Sequence, residues 1–203
     1  MKNIILFFFS FSLTFVSFSQ NAKIIVGGGV SKIHNTAKLP ILDESVFVFS
    51  AGLGVDVLER ERFYLSNEIG YLQMGGKEDI SELLPPFNEL SSTYKMNFIY
   101  ASSSFRYKFP LENKFFFIGL GPKLSVSVDS DPLKNTLYAD GYKIEKLVFG
   151  VNGEIGYMHD WDNYRVGITG SYLLNVNRIG YSIANDLKSN PIYFNLSFGY
   201  DFM

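Results

Sequence analysis

Phe116-Phe117-Ile118-Gly119-Leu120-Gly121-Pro122-Lys123-Leu124-Ser125-Val126-Ser127-Val128 is the stretch on which the fold turns. Its even positions are apolar from Phe116 to Val128, and from Gly119 its odd positions are Gly, Gly, Lys, Ser and Ser. A period of two with one greasy face and one small or polar face is a β-strand. The pattern recurs downstream. Leu147, Phe149, Val151, Ile155 and Tyr157 oppose Lys146, Gly150, Asn152, Glu154 and Gly156, with Val148 an apolar exception. Tyr164, Val166, Ile168, Tyr172 and Leu174 oppose Arg165, Gly167, Thr169, Ser171 and Asn175, and Ile192 to Phe202 repeats the alternation. Upstream, Phe47 to Val57 and Phe63 to Tyr71 do the same, and residues 22–34 read as a first strand. In residues 93–109 the apolar set moves from even (Tyr94, Met96, Phe98, Tyr100) to odd (Phe105, Tyr107, Phe109), which a β-bulge shifting the register by one would reconcile. The total is eight strands.

Connections alternate in length. The long ones are 35–44, 76–92, 129–142 and 179–190. The short ones are Glu59-Arg60-Glu61, Pro110-Leu111-Glu112-Asn113 and His159-Asp160-Trp161-Asp162. Short turns at one end and long loops at the other are the asymmetry of an outer-membrane barrel. Strands of about 11–16 residues exceed the roughly 9–11 tilted residues that cross an apolar band. In hydrocarbon only a closed barrel leaves no sheet edge unpaired. The expected fold is therefore all-β, an eight-stranded antiparallel up-and-down transmembrane barrel. Glycines 52, 54, 70, 119, 121, 150, 156, 167 and 199 share the polar face, as expected of a narrow lumen that side chains fill. Aromatics gather at the short-turn end, among them Phe63, Tyr64, Phe109, Phe115, Phe116, Trp161, Tyr164, Tyr200 and Phe202, as a girdle would. A soluble lipocalin-like carrier is the alternative, with the apolar face turned inward.

The N-terminus supports export. Lys2 precedes an uncharged apolar run centred on Ile4 to Phe9, and Ser17-Phe18-Ser19 supplies a small-x-small site. Residues 1–19 read as a cleaved signal peptide and 20–203 as the barrel domain; an uncleaved helical anchor is the competing reading. The 203 residues hold no cysteine, which excludes disulfides, thiolate metal sites and a cysteine nucleophile, and a net charge of -2 gives no pull toward nucleic acid.

The architecture resembles the PorT-like outer-membrane barrels of Gram-negative bacteria, related to OmpA and OmpX barrels. Phe105-Arg106-Tyr107-Lys108-Phe109, Phe117-Ile118-Gly119-Leu120-Gly121-Pro122, Phe149 to Tyr157 and the terminal Gly199-Tyr200-Asp201-Phe202 carry the resemblance. It implies a structural, adhesion or secretion-accessory role in the outer membrane, without enzymatic activity or cofactor. It also implies contact with outer-membrane lipid and lipopolysaccharide, and with barrel-insertion machinery that reads the near-terminal Phe202.

For chemistry, the polar face places Glu68, Lys123, Lys146, Glu154 and Arg165 in the expected lumen, as a plug of paired charges or an ion path. No metal site is expected, because His34 and His159 fall at opposite ends of the chain's barrel. A lipid A-modifying enzyme would need His34 as its base, with Asp43, Glu44 and Ser45 nearby, and is the catalytic alternative. The four long loops hold ten acids against four lysines, a rim for divalent cations or a basic partner. Within them Leu83, Leu84, Pro85, Pro86, Phe87 and Leu90 make an apolar loop suited to docking a protein partner.

Overall fold

Alternating side chains and glycine-rich, sterically open inner positions favour long paired strands, and strands account for most of the described residues. The computed structural model describes residues 19–35, 42–79, 91–128, 143–181 and 186–202. The strands are β1 (Ser19–Ser31), β2 (Ile33–Asn35), β3 (Val46–Val57), β4 (Phe63–Asp79), β5 (Ser91–Leu111) and β6 (Lys114–Ser127). They continue with β7 (Lys143–Ile144), β8 (Leu147–Trp161), β9 (Tyr164–Asn175), β10 (Gly180–Tyr181), β11 (Asp186–Ser189) and β12 (Ile192–Asp201). Eight of them close a barrel in the order β1-β12-β9-β8-β6-β5-β4-β3, every pairing antiparallel. This is the expected up-and-down barrel. The other four form a small sheet, β2-β11-β10-β7, at the long-loop end. That sheet was not foreseen, and it takes Asn35 and part of what read as the long connection 179–190, together with Lys143–Ile144. Of the expected signal peptide, residues 1–19, all but Ser19 lie outside the described residues, as does the apolar segment 80–90.

Two turns are tighter than the sequence suggested. β5 runs to Leu111 and β6 starts at Lys114, so the turn is Glu112-Asn113; likewise Asp162-Asn163 joins β8 to β9. Glu112 and Asp162 take φ of 52° and 50°, the left-handed region a two-residue hairpin turn demands at its first residue.

The bulge expected in β5 is absent. Pairing with β4 is continuous from Phe63↔Tyr107 to Asp79↔Ser91, and pairing with β6 keeps one register from Phe98↔Ser127 to Leu111↔Lys114. Even residues point inward throughout: Met96, Phe98 and Tyr100, then Ser102, Ser104, Arg106 and Lys108 are all buried. What changes along β5 is the content of the lumen, from apolar at the long-loop end to charged nearer the short turns.

The lumen is thus layered. Val48, Leu72, Met74, Met96, Phe98, Val148, Leu173 and Tyr193 pack with Ile33, Leu42, Ile179 and Leu187 into an apolar plug beneath the small sheet. This explains Val148, the apparent exception in its strand: it is an inward core residue. Toward the short turns, Tyr64, Phe115, Phe117 and Met158 form a second apolar cluster. Tyr64 and Phe115 therefore do not belong to the aromatic girdle. Outward residues form a largely apolar wall, including Ile24, Leu53, Ile69, Phe105, Leu120, Ile155, Ile168 and Leu196, each more than half exposed, with Asn67 and Ser103 a polar pair within it. Rings crowd its short-turn margin: Phe63 stacks on Phe105 at 5.6 Å, Phe116 meets Tyr157 at 5.2 Å, and Tyr164 meets Phe198 at 5.5 Å and Tyr200 at 5.4 Å. Charged groups inside and hydrocarbon outside invert the order of a water-soluble barrel.

Candidate functional site

The charged layer is the chemically richest part of the barrel. At its centre is Arg106 from β5, 2% exposed. Its Nε donates to Glu154 Oε2 at 2.6 Å and its Nη2 to Glu68 Oε1 at 2.7 Å. The guanidinium plane lies 4.8 Å from the Phe117 ring centroid, so the cation is held by two carboxylates and an aromatic face. Glu154 also accepts from Asn152 Nδ2 at 2.6 Å and Ser104 Oγ at 3.3 Å. Glu68 is 3.4 Å from Lys23 Nζ, and Lys23 donates to Asp56 at 2.8 Å and to Ser66 Oγ at 2.7 Å. Residues from β1, β3, β4, β5 and β8 are thereby joined in one network across the lumen.

Asp56 continues it toward the short turns, with its second oxygen 3.9 Å from Arg165 Nη1. Arg165 grips Glu59 through two guanidinium nitrogens at 3.0 and 2.9 Å, and donates from Nε to Asp160 at 2.6 Å. Lys108 adds a 2.9 Å contact to Glu59. Glu59 sits in the β3–β4 turn. Burial raises its pKa, but the hydrogen bonds and charges of Arg165 and Lys108 outweigh that and hold it below the usual 4.5.

Glycines make room for this chemistry. A Cβ on Gly119 would stand 2.9 Å from both Arg106 Cγ and Glu154 Oε2, and one on Gly54 would stand 2.8 Å from Lys23 Cε. The glycine face of the sequence is therefore the space into which the long charged side chains fold.

Of the residues expected in the lumen, Glu68 and Glu154 share Arg106, and Arg165 belongs to the second cluster. Glu154 and Arg165 do not meet, because Arg165 pairs with Asp160 across the hairpin while Glu154 lies opposite Ser171. Lys123 is buried beside them, its ammonium 3.8 Å from the Tyr100 ring centroid. Lys146 is corrected: it precedes β8 and is exposed, outside the lumen. Lys23, Glu59, Arg106, Lys108 and Asp160 were not foreseen, and Asp56, whose place on the polar face is legible, was not counted among the lumen charges. Arg106 and Lys108 were hidden by the unsettled phase of β5, whereas Lys23 and Asp56 shared their alternating polar positions with Asn21 and Gly54, a signal that could have found them.

A void of about 20 Å³ lies in the lumen, walled by Lys23, Glu68, Tyr100, Lys123, Asn152 and Glu154 among others. That is room for one or two waters, at roughly 10–15 Å³ each. Arg106 Nη1 and Asn152 Oδ1 lack a hydrogen-bond partner among the described residues, the setting in which a buried water is held. Such a lumen can bind water and balance charge. His159 Nδ1 lies 3.1 Å from the Asn113 carbonyl in the turn region, and His34 is an exposed residue of β2 opposite Lys188. Among the described residues no cluster of three or more His, Cys, Asp or Glu could hold a metal ion. Leu83, Leu84, Pro85, Pro86, Phe87 and Leu90, expected to dock a partner, lie outside the described residues.

No protein-family model matches the chain. No curated protein matches it either. Solved structures do. Neisserial surface protein A superposes with a TM-score of 0.53 at 13% identity, over 89% of this chain and 97% of that one. The N-terminal β-barrel domain of Pseudomonas aeruginosa OprF gives 0.45 at 10% identity, over 90% and 99%. Outer membrane protein AlkL, solved in lipid bilayers, gives 0.48 at 12% identity, over 91% and 92%. By its own pairing the chain has a closed eight-stranded antiparallel barrel fold, and Neisserial surface protein A shares it.

Proposed function

We propose that this chain is an outer-membrane barrel protein of a Gram-negative bacterium, neither enzyme nor open channel, that holds its outer strands and loops at the cell surface. The observation that carries the reading is the inversion of polarity: ion pairs in the lumen, and outside a wall of large apolar side chains interrupted at the Asn67–Ser103 pair. The wall has the right height. On the outward face of β4, Phe63 marks the aromatic margin. Ten residues further on, Gln73 donates to Tyr71 Oη at 3.0 Å and to Asn97 Oδ1 at 3.1 Å, and there the wall turns polar. Ten residues at roughly 3.3 Å, inclined about 40°, rise about 25 Å, the height of the apolar band of such barrels.

The leader-like residues 1–19 route the chain to the outer membrane, and Phe202 serves barrel insertion. The PorT-like motifs favour a structural, adhesion or secretion-accessory role, in which the acidic outer loops and residues 83–90 meet a protein partner. Membrane fractionation tests the reading, together with gel mobility of boiled and unboiled samples. A boiling-dependent shift in the outer-membrane fraction is expected. Recovery in the soluble periplasm without a shift would refute it and favour a ligand carrier. In planar bilayers the refolded protein should show no discrete conductance steps, and stable open-channel steps would overturn the filled-lumen reading.

A further inference from the structure

The outward wall carries a polar spot within its apolar band. Asn67 on β4 and Ser103 on β5 stand directly opposite each other. Both point outward: Ser66, Ser102 and Ser104 beside them are buried in the lumen, while Ile69 and Phe105, on the same face as the pair, are more than half exposed. Asn67 lies four residues above Phe63 and six below Gln73, the residues that bound the band on this strand. At roughly 2.5 Å of height per tilted residue, it stands about 10 Å from one margin and about 15 Å from the other.

Nothing in the chain answers these groups. Among the described residues neither side chain has a hydrogen-bond partner, and Asn67 Nδ2 packs under its neighbours without an acceptor. The ladder beside them is interrupted too. Pro122 lies opposite Ser103 with no N–H to donate, and β5–β6 pairing passes from Ser102↔Lys123 to Phe105↔Leu120 with no pair between. Unpaired polar groups are costly in hydrocarbon, and polar side chains there hydrogen-bond across to neighbouring membrane segments. Lipid cannot serve, since at this depth acyl chains offer neither donor nor acceptor.

We propose that the β4–β5 face is the interface of a homodimer within the membrane, in which the Asn67 amides of two copies hydrogen-bond each other across a two-fold axis along the membrane normal. Two copies inserted the same way present each residue at the same depth, so such an axis through this face brings Asn67 to its own counterpart. A primary amide carries both donor and acceptor and is its own complement, as a carboxylate or an ammonium is not. A half-turn of the amide exchanges its two polar atoms, so either reaches the second copy. Ser103 adds a hydroxyl at the same level. Leu53, Ile69, Phe105 and Leu120, all exposed, supply the apolar surround of the contact. A different membrane protein would need a polar group placed at this depth, whereas a second copy has one by identity. The inference rests on the membrane reading above.

The chain has no cysteine, so a single introduced one reports on one place. With the full barrel in outer membranes and a short bis-maleimide cross-linker, Ile69→Cys should give a band at twice the barrel's mass, and Ile168→Cys on the opposite wall should give none. Affinity is read from energy transfer between copies labelled through Glu61→Cys in the β3–β4 turn, in dimyristoylphosphatidylcholine vesicles over a range of protein-to-lipid ratios. Asn67→Leu should weaken pairing about tenfold, equivalent to about 1.4 kcal/mol for two hydrogen bonds, whereas Asn67→Gln, which keeps the amide, should retain most of it. Each variant is first shown to keep the boiling-dependent gel shift, so loss of pairing is not loss of fold. Three results would each overturn the proposal while leaving the barrel reading intact: unchanged transfer in Asn67→Leu, wild-type transfer no greater than random mixing at every ratio, or cross-linking of Ile69→Cys only to a band of another mass. Absence of the gel shift would instead defeat the membrane reading itself.

Discussion

Replacing Arg106 by Met asks most directly what the lumen's charges do for the fold. Arg106 is buried and bonds Glu154 at 2.6 Å and Glu68 at 2.7 Å. Met fills similar volume without charge, so the change strands two carboxylates. Glu68 keeps Lys23 at 3.4 Å, whereas Glu154 keeps only neutral donors, Asn152 and Ser104. Removing one partner of a buried pair costs about 3–5 kcal/mol, chiefly because the other charge stays desolvated. Glu154→Gln in the Arg106→Met background removes that stranded charge. The double variant should therefore be more stable than Arg106→Met alone, with a coupling energy of about 2 kcal/mol or more. Urea unfolding in detergent micelles, scored by the unboiled gel band, measures all four corners of the cycle. If the two single costs add within about 0.5 kcal/mol, Arg106 and Glu154 are independent and the network described here is not a unit.

Three further outcomes are expected. Gly121→Ala should destabilise the barrel by about 1–3 kcal/mol in the same assay, since its Cβ would stand 2.0 Å from the Ser103 carbonyl oxygen, while Gly153→Ala, whose nearest neighbour is 4.0 Å away, should be close to neutral. Because Glu59 has its folded pKa held below 4.5, its stabilisation is complete above that value and is lost as the pH falls through the folded pKa. Wild type should therefore lose more stability than Glu59→Gln between neutral pH and pH below 4.5; equal losses would remove Glu59 from the cause. Trp161 is the chain's one tryptophan, 69% exposed at the short-turn margin, so lipids brominated near the headgroup should quench it more than lipids brominated at chain ends.

Strand number, topology and the outward wall were legible because alternation repeats in every barrel strand and the turns sort by length. Period two, however, separates two faces without saying what each touches. Where the lumen stays polar, as along β12 at Asn195, Ser197 and Gly199, the inner face is plain from sequence. Where the lumen turns apolar, the inner face looks like the outer: Phe98 and Tyr100 on β5, Val148 on β8 and Leu173 on β9 are core residues amid outward-facing ones. The apparent bulge in β5 and the misplacing of Tyr64 and Phe115 share that origin. Ion-pair partners were less legible still. Lys23 and Glu68 come from strands that are not neighbours, and what brings them together is the curvature of a closed wall, which no local pattern contains.

The network that crosses the lumen has a consequence for how the wall finds its alignment. A slip of one residue between two strands would throw hydrocarbon inward and is penalised everywhere. A slip of two keeps every side chain on its proper side, so the greasy wall is nearly blind to it. The charges are not blind, because such a slip moves a side chain by about 7 Å along its neighbour. Contacts of 2.6–2.8 Å among Lys23, Asp56, Glu68, Arg106 and Glu154 would open at once. The acidic and basic groups thus act as a proofreading code, rejecting the near-correct closures that hydrophobicity alone would accept.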